Sequence, residues 1–298
     1  MISIIICSRK TDISKSQQIN LSETIGTAFE IICIDNSENK YSIFQAYNLG
    51  ASQAKFPFLC FIHDDIIFQT ANWGINLIQH FEDSEFGLIG VAGSQYKSKY
   101  LSGWGCSPKF MRVNLKEIHV DGFENTMYTN PTGNILEEVV CIDGIFMATK
   151  KSIWEEYKFD EKTFSGFHCY DIDYSLQVHQ KYKIGVCFDI NLIHYAQASY
   201  SKAWFEATKI LYNKWNSNLP LSLVSLNNNE IRYEDWYVNK TYCNASASSG
   251  ERGQSFYFFK ICLQLQFFKL SNIVMLIRII GGRKISQLIS KLQVKLSK

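Results

Sequence analysis

Four prolines in 298 residues are too few for a chain built from proline-rich linkers. Nine cysteines include no Cys-x-x-Cys pair, which excludes the common zinc and thioredoxin-like spacings. The count is odd, and Cys7, Cys33, Cys60, Cys141 and Cys187 all sit inside apolar runs. Buried free thiols in a reducing compartment fit this pattern better than disulfides or a zinc site. No stretch of 18 uncharged apolar residues occurs, so no transmembrane span is expected. The opening Met1-Ile2-Ser3-Ile4-Ile5-Ile6 is too short for a signal segment and has no basic residues before it. The expected location is the cytoplasm. No G-x-G-x-x-G follows the first apolar run, which argues against a dehydrogenase. A net charge of +2 suggests no nucleic-acid partner.

Apolar residues make up 46% of the chain and 14% of all residues are aromatic, enough to bury a sizeable core. Ser3–Cys7, Glu30–Ile34 and Phe58–Ile62 are unbroken apolar runs, as expected of strands buried on both faces of a parallel sheet. Helical stretches over Ser14–Ile25 and Ser42–Ala54 separate them, with Gly26 as a stop. The β-α-β-α-β order predicts an α/β, Rossmann-like, doubly wound and mostly parallel sheet with helices on both faces. Further along, the pattern predicts a helix over Trp73–Phe81 and strands over Leu88–Ala92, Val139–Thr149 and Ile184–Phe188. Helices follow over Asp171–Tyr182 and Ser201–Trp215, with an irregular stretch over Ser94–Asn134 and a linker over Asn244–Gly253. The expected division is a catalytic domain over residues 1–220 and a C-terminal extension over 221–298.

Ligands of such sheets bind beyond the carboxyl ends of the strands. The residues there are Ser8-Arg9, Asp35-Asn36-Ser37 and His63-Asp64-Asp65. Two adjacent acids repel each other and resist burial, and an oxygen-seeking cation such as Mg²⁺ or Mn²⁺ resolves the conflict. A solvated Asp-Asp turn is the alternative. Asp35 is placed to hydrogen-bond a nucleoside, although Asp-Asn-Ser is equally good turn chemistry. Tyr170-Asp171-Ile172-Asp173 opens a helix after the loop Phe164-Ser165-Gly166-Phe167-His168. Asp171 and Asp173 are about 200° apart on a helical wheel, so one can face a site as general base while the other caps or orients. The macrodipole alone would favour both acids there. His194 follows the last strand and is either a metal or phosphate contact or a satisfied core histidine.

These motifs in series resemble family 2 glycosyltransferases of the GT-A fold. The resemblance rests on Ser3-Ile4-Ile5-Ile6-Cys7-Ser8-Arg9, on Ile34-Asp35-Asn36 and on Phe61-Ile62-His63-Asp64-Asp65-Ile66, and covers roughly residues 1–215. The His-Asp-Asp form and Ser102-Gly103-Trp104 are similar to the subgroup named after the streptomycin-biosynthesis protein StrF. The resemblance implies transfer of a sugar, with inversion, from a nucleotide-diphosphate-sugar donor to a hydroxyl of a glycan or lipid-linked acceptor. It places Ser8, Arg9, Asp35, Asn36 and Asp64 at the nucleotide. Asp65 and His194 would hold Mn²⁺ or Mg²⁺, and Asp171 would be the base. Trp104, Asp143, Gly144, His168 and Asp173 would lie on the acceptor or sugar side. Two departures from the family pattern stand out: His63 replaces the first acid of Asp-x-Asp, and Tyr170 replaces an acid common before the catalytic one. The altered metal motif leaves a non-catalytic nucleotide-sugar binding protein as the rival. A nucleotidyltransferase would need a glycine-rich loop after the first strand, and Arg9-Lys10 stand in a loop without glycine.

The charge is unevenly spread. Arg252 to Lys298 holds nine Lys or Arg and no Asp or Glu, leaving 21 basic and 28 acidic residues, net −7, in the remainder. Phe256–Ile280 has 18 apolar residues in 25. Lys260, Gln264, Ser271 and Arg278 fall on one side of a helical wheel, and Ile285, Leu288, Ile289, Leu292 and Leu296 form an apolar face flanked by Lys284, Lys291, Lys295 and Lys298. A basic amphipathic tail predicts peripheral attachment to an anionic inner membrane face. The alternative is packing on the body or on a second subunit.

Overall fold

The structure, a computed structural model, describes residues 1–82, 85–119, 122–195 and 201–296, with side chains to 293. The chain forms two compact units, Met1–Lys97 with Pro108–Gln197, and Ser98–Ser107 with Ala198–Lys298.

The first unit opens with β1 (Ile2–Ser8), β2 (Phe29–Asp35), β3 (Phe58–Ile62), β4 (Ile66–Phe68), β5 (Phe86–Gly90) and β6 (Ala92–Ser94). It continues with β7 (Met111–Ile118), β8 (Glu124–Thr129), β9 (Leu136–Val139), β10 (Cys141–Ile142), β11 (Phe146–Lys150), β12 (Lys183–Cys187) and β13 (Leu192–His194). Seven of these form the central sheet in the order β9-β12-β5-β11-β3-β1-β2. β1, β2, β3, β5 and β12 run one way; β11 and β9 run the other. The mostly parallel sheet expected from the apolar runs is present. Ile2, Ile4, Ile5 and Ile6 are fully buried because β1 lies inside the sheet with both faces covered. Each such side chain contributes roughly 1.5–3 kcal/mol relative to an exposed one.

Helices α1 (Lys15–Thr24) and α2 (Ile43–Gln53) are the two crossovers. Ser14 and Ser42 cap them, each accepting a backbone N–H with its side chain at 3.2 Å. α3 (Trp73–His80), α4 (Lys151–Glu156) and α5 (Tyr170–Val178) complete this unit.

A second sheet, β10-β6-β7-β13-β4 with β8 on β7, lies within Ile66–His194 and corrects two expectations. The stretch Ser94–Asn134 is not irregular throughout, since it holds β7 and β8; alternating exposure along Glu124–Thr129 hid the strand from a search for apolar runs. Val139–Thr149 is not one strand. It breaks at Asp143-Gly144 into β10 and β11, which belong to different sheets. His194 ends β13 rather than following a strand.

The second unit carries α6 (Lys202–Trp215), α7 (Asn228–Ser249), α8 (Arg252–Leu265) and α9 (Leu270–Leu296). Asn244–Gly253 is no linker. α7 runs through Ser249 and stops at Gly250, whose φ of 89° is the left-handed stop of a helix. Small polar residues there pack: Ser246 and Ala247 are buried. Among the described residues the cysteines form no disulfide; seven are buried as expected, whereas Cys7 and Cys33 are only half-buried.

Candidate active site

The carboxyl ends of β1, β2 and β3 meet at one edge of the central sheet. Ser8 pairs in register with Asp35. The Ser8 hydroxyl donates to Asp64 Oδ2 at 2.6 Å, which ties the first strand end to the third. Asp35 is exposed; the Ser37 hydroxyl, and then the Ser37 backbone N–H that it accepts at 2.9 Å, hold its carboxyl below the usual range. Asn36 spends both ends of its amide on Tyr41, at 2.8 and 2.9 Å, so it closes the loop beside Asp35. Arg9 is exposed at the same edge.

The turn His63-Asp64-Asp65 joins β3 to β4, and four elements hold it. The buried Gln17 of α1 donates to the His63 carbonyl at 3.1 Å. His63 N donates to Ile145 O at 3.2 Å, continuing the β3–β11 ladder. The second sheet pairs His194 with Ile66 and, on its other side, with Glu117. Tyr195 N donates to Asp65 O at 2.9 Å. Strand pairing thus sets His194 beside a turn nearly half the chain away.

The result is a cluster of three: ligand atoms of His63, Asp65 and His194 all lie within 4.8 Å of one another. Asp65 Oδ1 is 3.8 Å from His63 Nδ1 and 3.5 Å from His194 Nε2. Neither Asp65 Oδ1 nor His194 Nδ1 has a hydrogen-bond partner although both are buried. Glu117 Oε1 stands 3.7 Å from His194 Nδ1. Burial opposes a charged imidazole, but Asp65 and Glu117 push His194 up to about 9. Burial likewise works against an ionised Asp65, yet the neighbouring imidazoles hold its carboxyl below the ordinary value. His63 is shifted down, mainly by burial, and so stays neutral. Two imidazoles and one carboxylate with unsatisfied buried atoms suit a divalent cation of the Mn²⁺ type.

His63 is fixed from behind. Tyr170 Oη donates to the Gly144 carbonyl at 3.1 Å and lies 2.7 Å from His63 Nε2. A His63 tautomer protonated at Nε2 would donate to the Tyr170 hydroxyl and leave that hydroxyl's own proton for Gly144. That tautomer leaves the Nδ1 lone pair facing Asp65. Gly144 must be glycine: a Cβ there would come within 2.2 Å of the Tyr170 hydroxyl.

Asp171 occupies the first turn of α5, next to Tyr170. It is half-buried, whereas Asp173 is fully buried and accepts Gln177 Nε2 at 2.8 Å. Burial and the charge of Asp143 push Asp171 up to about 7, while the backbone N–H groups of Ile172 and Gly144 act the other way. The helix starts at Cys169, whose φ of 69° is left-handed, a strained conformation for a residue with a side chain. His168, half-buried and shifted down by burial, precedes it. Phe167 is 45% exposed with its ring 5.9 Å from that of His63.

The parts are therefore a Ser8–Asp64–Asp35 edge, a His63–Asp65–His194 cluster, and Asp171 beside Asp143-Gly144. Residues 3–215 match the model of a family described as "Glycosyltransferase like family". The chain belongs to this glycosyltransferase-like family. Membership makes it an enzyme of glycosyl transfer, and the fold agrees. GalNAc-T7, solved with UDP, GalNAc and Mn²⁺, is similar at a TM-score of 0.50 and 11% identity, over 87% of this chain and 53% of that one. S. aureus TarS 1–349, in complex with UDP-GlcNAc, is similar at 0.43 and 11%, over 94% and 79%. A197 from STIV is similar at 0.39 and 12%, over 66% and 86%. No curated protein sequence matches the chain. The fold of this glycosyltransferase is the GT-A arrangement, a mostly parallel α/β sheet followed by C-terminal helices.

Of the residues singled out in the sequence, the glycosyltransferase brings Asp65 and His194 together and sets Asp171 near Asp143-Gly144. Trp104 belongs to the segment Ser98–Ser107 of the second unit. Sequence reading missed Gln17, Glu117 and Tyr170 as supports of the site. Glu117 sits on a strand that the apolar pattern did not reveal. Tyr170 could have been found only as a departure from the family's acid.

Proposed function

We propose that the enzyme transfers a sugar from a nucleotide-diphosphate-sugar to an acceptor hydroxyl, with inversion and with a divalent cation held by His63, Asp65 and His194. The observation that carries this reading is the cluster of those three side chains, with orphaned buried atoms, at the strand ends where such sheets bind ligands. The cation, Mn²⁺ or Mg²⁺, would supply Lewis-acid stabilisation of the departing diphosphate. The Mn²⁺ and UDP in the GalNAc-T7 structure support the same pairing of metal and nucleotide.

The rest is done by side chains. Asp35 and Ser8 bind the nucleoside, with Asn36 shaping the loop and Arg9 reaching the phosphates. Asp64, held by Ser8, orients the strand end. Asp171 accepts the proton of the acceptor hydroxyl as its oxygen bonds to the anomeric carbon. The bond from that carbon to the diphosphate breaks, and the nucleoside diphosphate leaves. A carboxyl near 7 is matched to this work at neutral pH. His168, Asp143 and Gly144 form the acceptor side. Asp171 is the one base in this reading and no side chain is assigned as a nucleophile, so the expected course is a single displacement. Within the family, the His-Asp-Asp turn and Ser102-Gly103-Trp104 support a reading as a StrF-like member.

The test is a thermal-shift screen of nucleoside diphosphates and nucleotide-sugars with and without Mn²⁺. One nucleotide should raise the melting temperature much more with metal than without it. No shift with any nucleotide under either condition would refute the assignment.

A further inference from the structure

We infer that the outer face of the C-terminal helices docks flat on an anionic lipid bilayer, with Phe267 and Phe268 as the inserted tip. This goes beyond glycosyl transfer and does not depend on it.

The tail seen in the structure differs from the one read off a helical wheel. α8 and α9 do not form one continuous helix, because the chain turns between Leu265 and Leu270. α9 itself bends at Gly282, whose φ of 70° and ψ of −168° are not helical. Arg278 is not on a solvated polar face. It is 2% exposed and spans the bend, with Nη1 donating to Ser286 O at 3.0 Å and Ser290 Oγ at 2.8 Å, and Nη2 to Gln293 Oε1 at 2.7 Å. The side chains of Lys295 and Leu296, and Lys298, lie outside the described residues.

The packed side of α9 carries Asn272, Met275, Arg278, Ile279 and Ser286, all buried. The opposite side exposes Leu270 (80%), Ile273 (58%), Ile277 (50%) and Ile280 (66%), at spacings of three and four residues. Beyond the bend, Ile285, Leu288 and Leu292 are exposed at the same spacing. At the near end, Phe267 is 65% exposed and Phe268 96% exposed. The two helical segments on either side of Gly282 thus each expose an apolar stripe, and the turn before the first exposes an aromatic pair. A monomer in water does not ordinarily keep so long a patch open.

Charge decides what covers it. Lys269 adjoins the aromatic tip, and Lys284 and Lys291 flank the second stripe; all three are exposed. From Arg252 onward there is no acid to pair with them. A second copy packed stripe to stripe would bring these lysines against their own equivalents, which is repulsive. An anionic bilayer offers what the face lacks: an apolar interior for the stripes and negative headgroups for the lysines. None of the helices, among the described residues, is long and apolar enough to cross a membrane, so the fitting mode is to lie in the interface.

The experiment is co-sedimentation of the full chain with vesicles of phosphatidylcholine alone or with phosphatidylglycerol, at low and high salt. Binding to the anionic vesicles that weakens with salt is expected. Phe267→Ser with Phe268→Ser should weaken it more than tenfold, since each buried phenylalanine counts for at least that much. Lys284→Gln with Lys291→Gln should weaken it about 25-fold, from about fivefold per basic residue near such a surface. All four substitutions lie at exposed positions, and the melting temperature reads whether the fold is kept. Full-length protein that stays in the supernatant with anionic vesicles overturns the proposal. So does binding that neither double variant weakens. A dimer in sedimentation velocity that Phe267→Ser/Phe268→Ser abolishes, without vesicle binding, would reassign the face to self-association. Nucleotide binding measured without vesicles separates this outcome from any failure of the transfer reading.

Discussion

Tyr170 Oη lies 2.7 Å from His63 Nε2 and 3.1 Å from the Gly144 carbonyl oxygen, within hydrogen-bond reach of both. This one hydroxyl joins the helix that carries Asp171 to the turn that carries Asp65. With Nε2 on Tyr170, the Nδ1 of His63 stands on the side of Asp65, 3.8 Å from its Oδ1. A tyrosine in place of the family's acid is thereby set against the imidazole of His63.

Tyr170→Phe should keep the fold, because the ring remains among Phe44, Tyr47 and Phe167. Losing the partner of His63 Nε2 should weaken Mn²⁺ binding about 10-fold or more, the usual scale for a residue that orients a ligand. Calorimetric titration with Mn²⁺ alone reads this directly. Unchanged affinity would show that His63 is not a ligand or is held by other means.

Metal binding should be strongly pH-dependent. Between about 6.5 and 9, His63 and Asp65 are already deprotonated while His194 is protonated. A cation must displace that proton, so affinity should rise about tenfold per pH unit and level off near 9. Glu117→Gln removes one cause of the raised value and should move the plateau to lower pH. Without metal the stability linkage runs the other way. A histidine raised in the fold stabilises below its unfolded value and loses that contribution as pH climbs toward 9. A flat affinity profile over this range excludes His194 from the site.

Asp171→Asn should leave nucleotide binding nearly unchanged and lower kcat by about 10²-fold or more. The wild-type rate should rise with pH through about 7, where the carboxyl ionises. The same shift predicts a stability effect. A carboxyl whose value is raised from 3.8 to about 7 by the fold favours the protonated form, so native stability falls as pH rises between those values. The asparagine variant, which has no charge to bury, should gain at most about 4 kcal/mol over wild type at pH 8 and little at pH 3.5. Denaturant melts at the two pH values test this; an asparagine variant less stable at pH 8 contradicts it.

Asp173→Ala should behave differently from Asp171→Asn. Asp173 is fully buried and holds Gln177, so its loss should cost roughly 1–3 kcal/mol of stability. Activity per folded molecule and nucleotide affinity should stay close to wild type. A loss of kcat without a loss of melting temperature would place Asp173 in the reaction.

The sequence alone determined the parallel half of the fold and the chemistry of the strand ends. β1 and β3 were legible because strands covered on both faces are apolar throughout; β2, at the sheet edge, keeps the apolar pattern although most of its side chains are only half-buried. The caps at Ser14 and Ser42 and the acids at Asp65 and Asp171 are local signals of the same kind. The second sheet was not legible. Its strands are short or alternate in polarity, and what defines them is pairing between residues far apart in the chain. Only that pairing sets His194 against Asp65, puts Glu117 behind it, and splits Val139–Thr149 at Asp143-Gly144. In the tail, composition told that the helices are basic and apolar, but not which side is covered. Packing of α9 within the second unit buries Arg278 and leaves Ile280 open, because a helix can bury only one face against its neighbours and the choice between faces is made by the tertiary contacts.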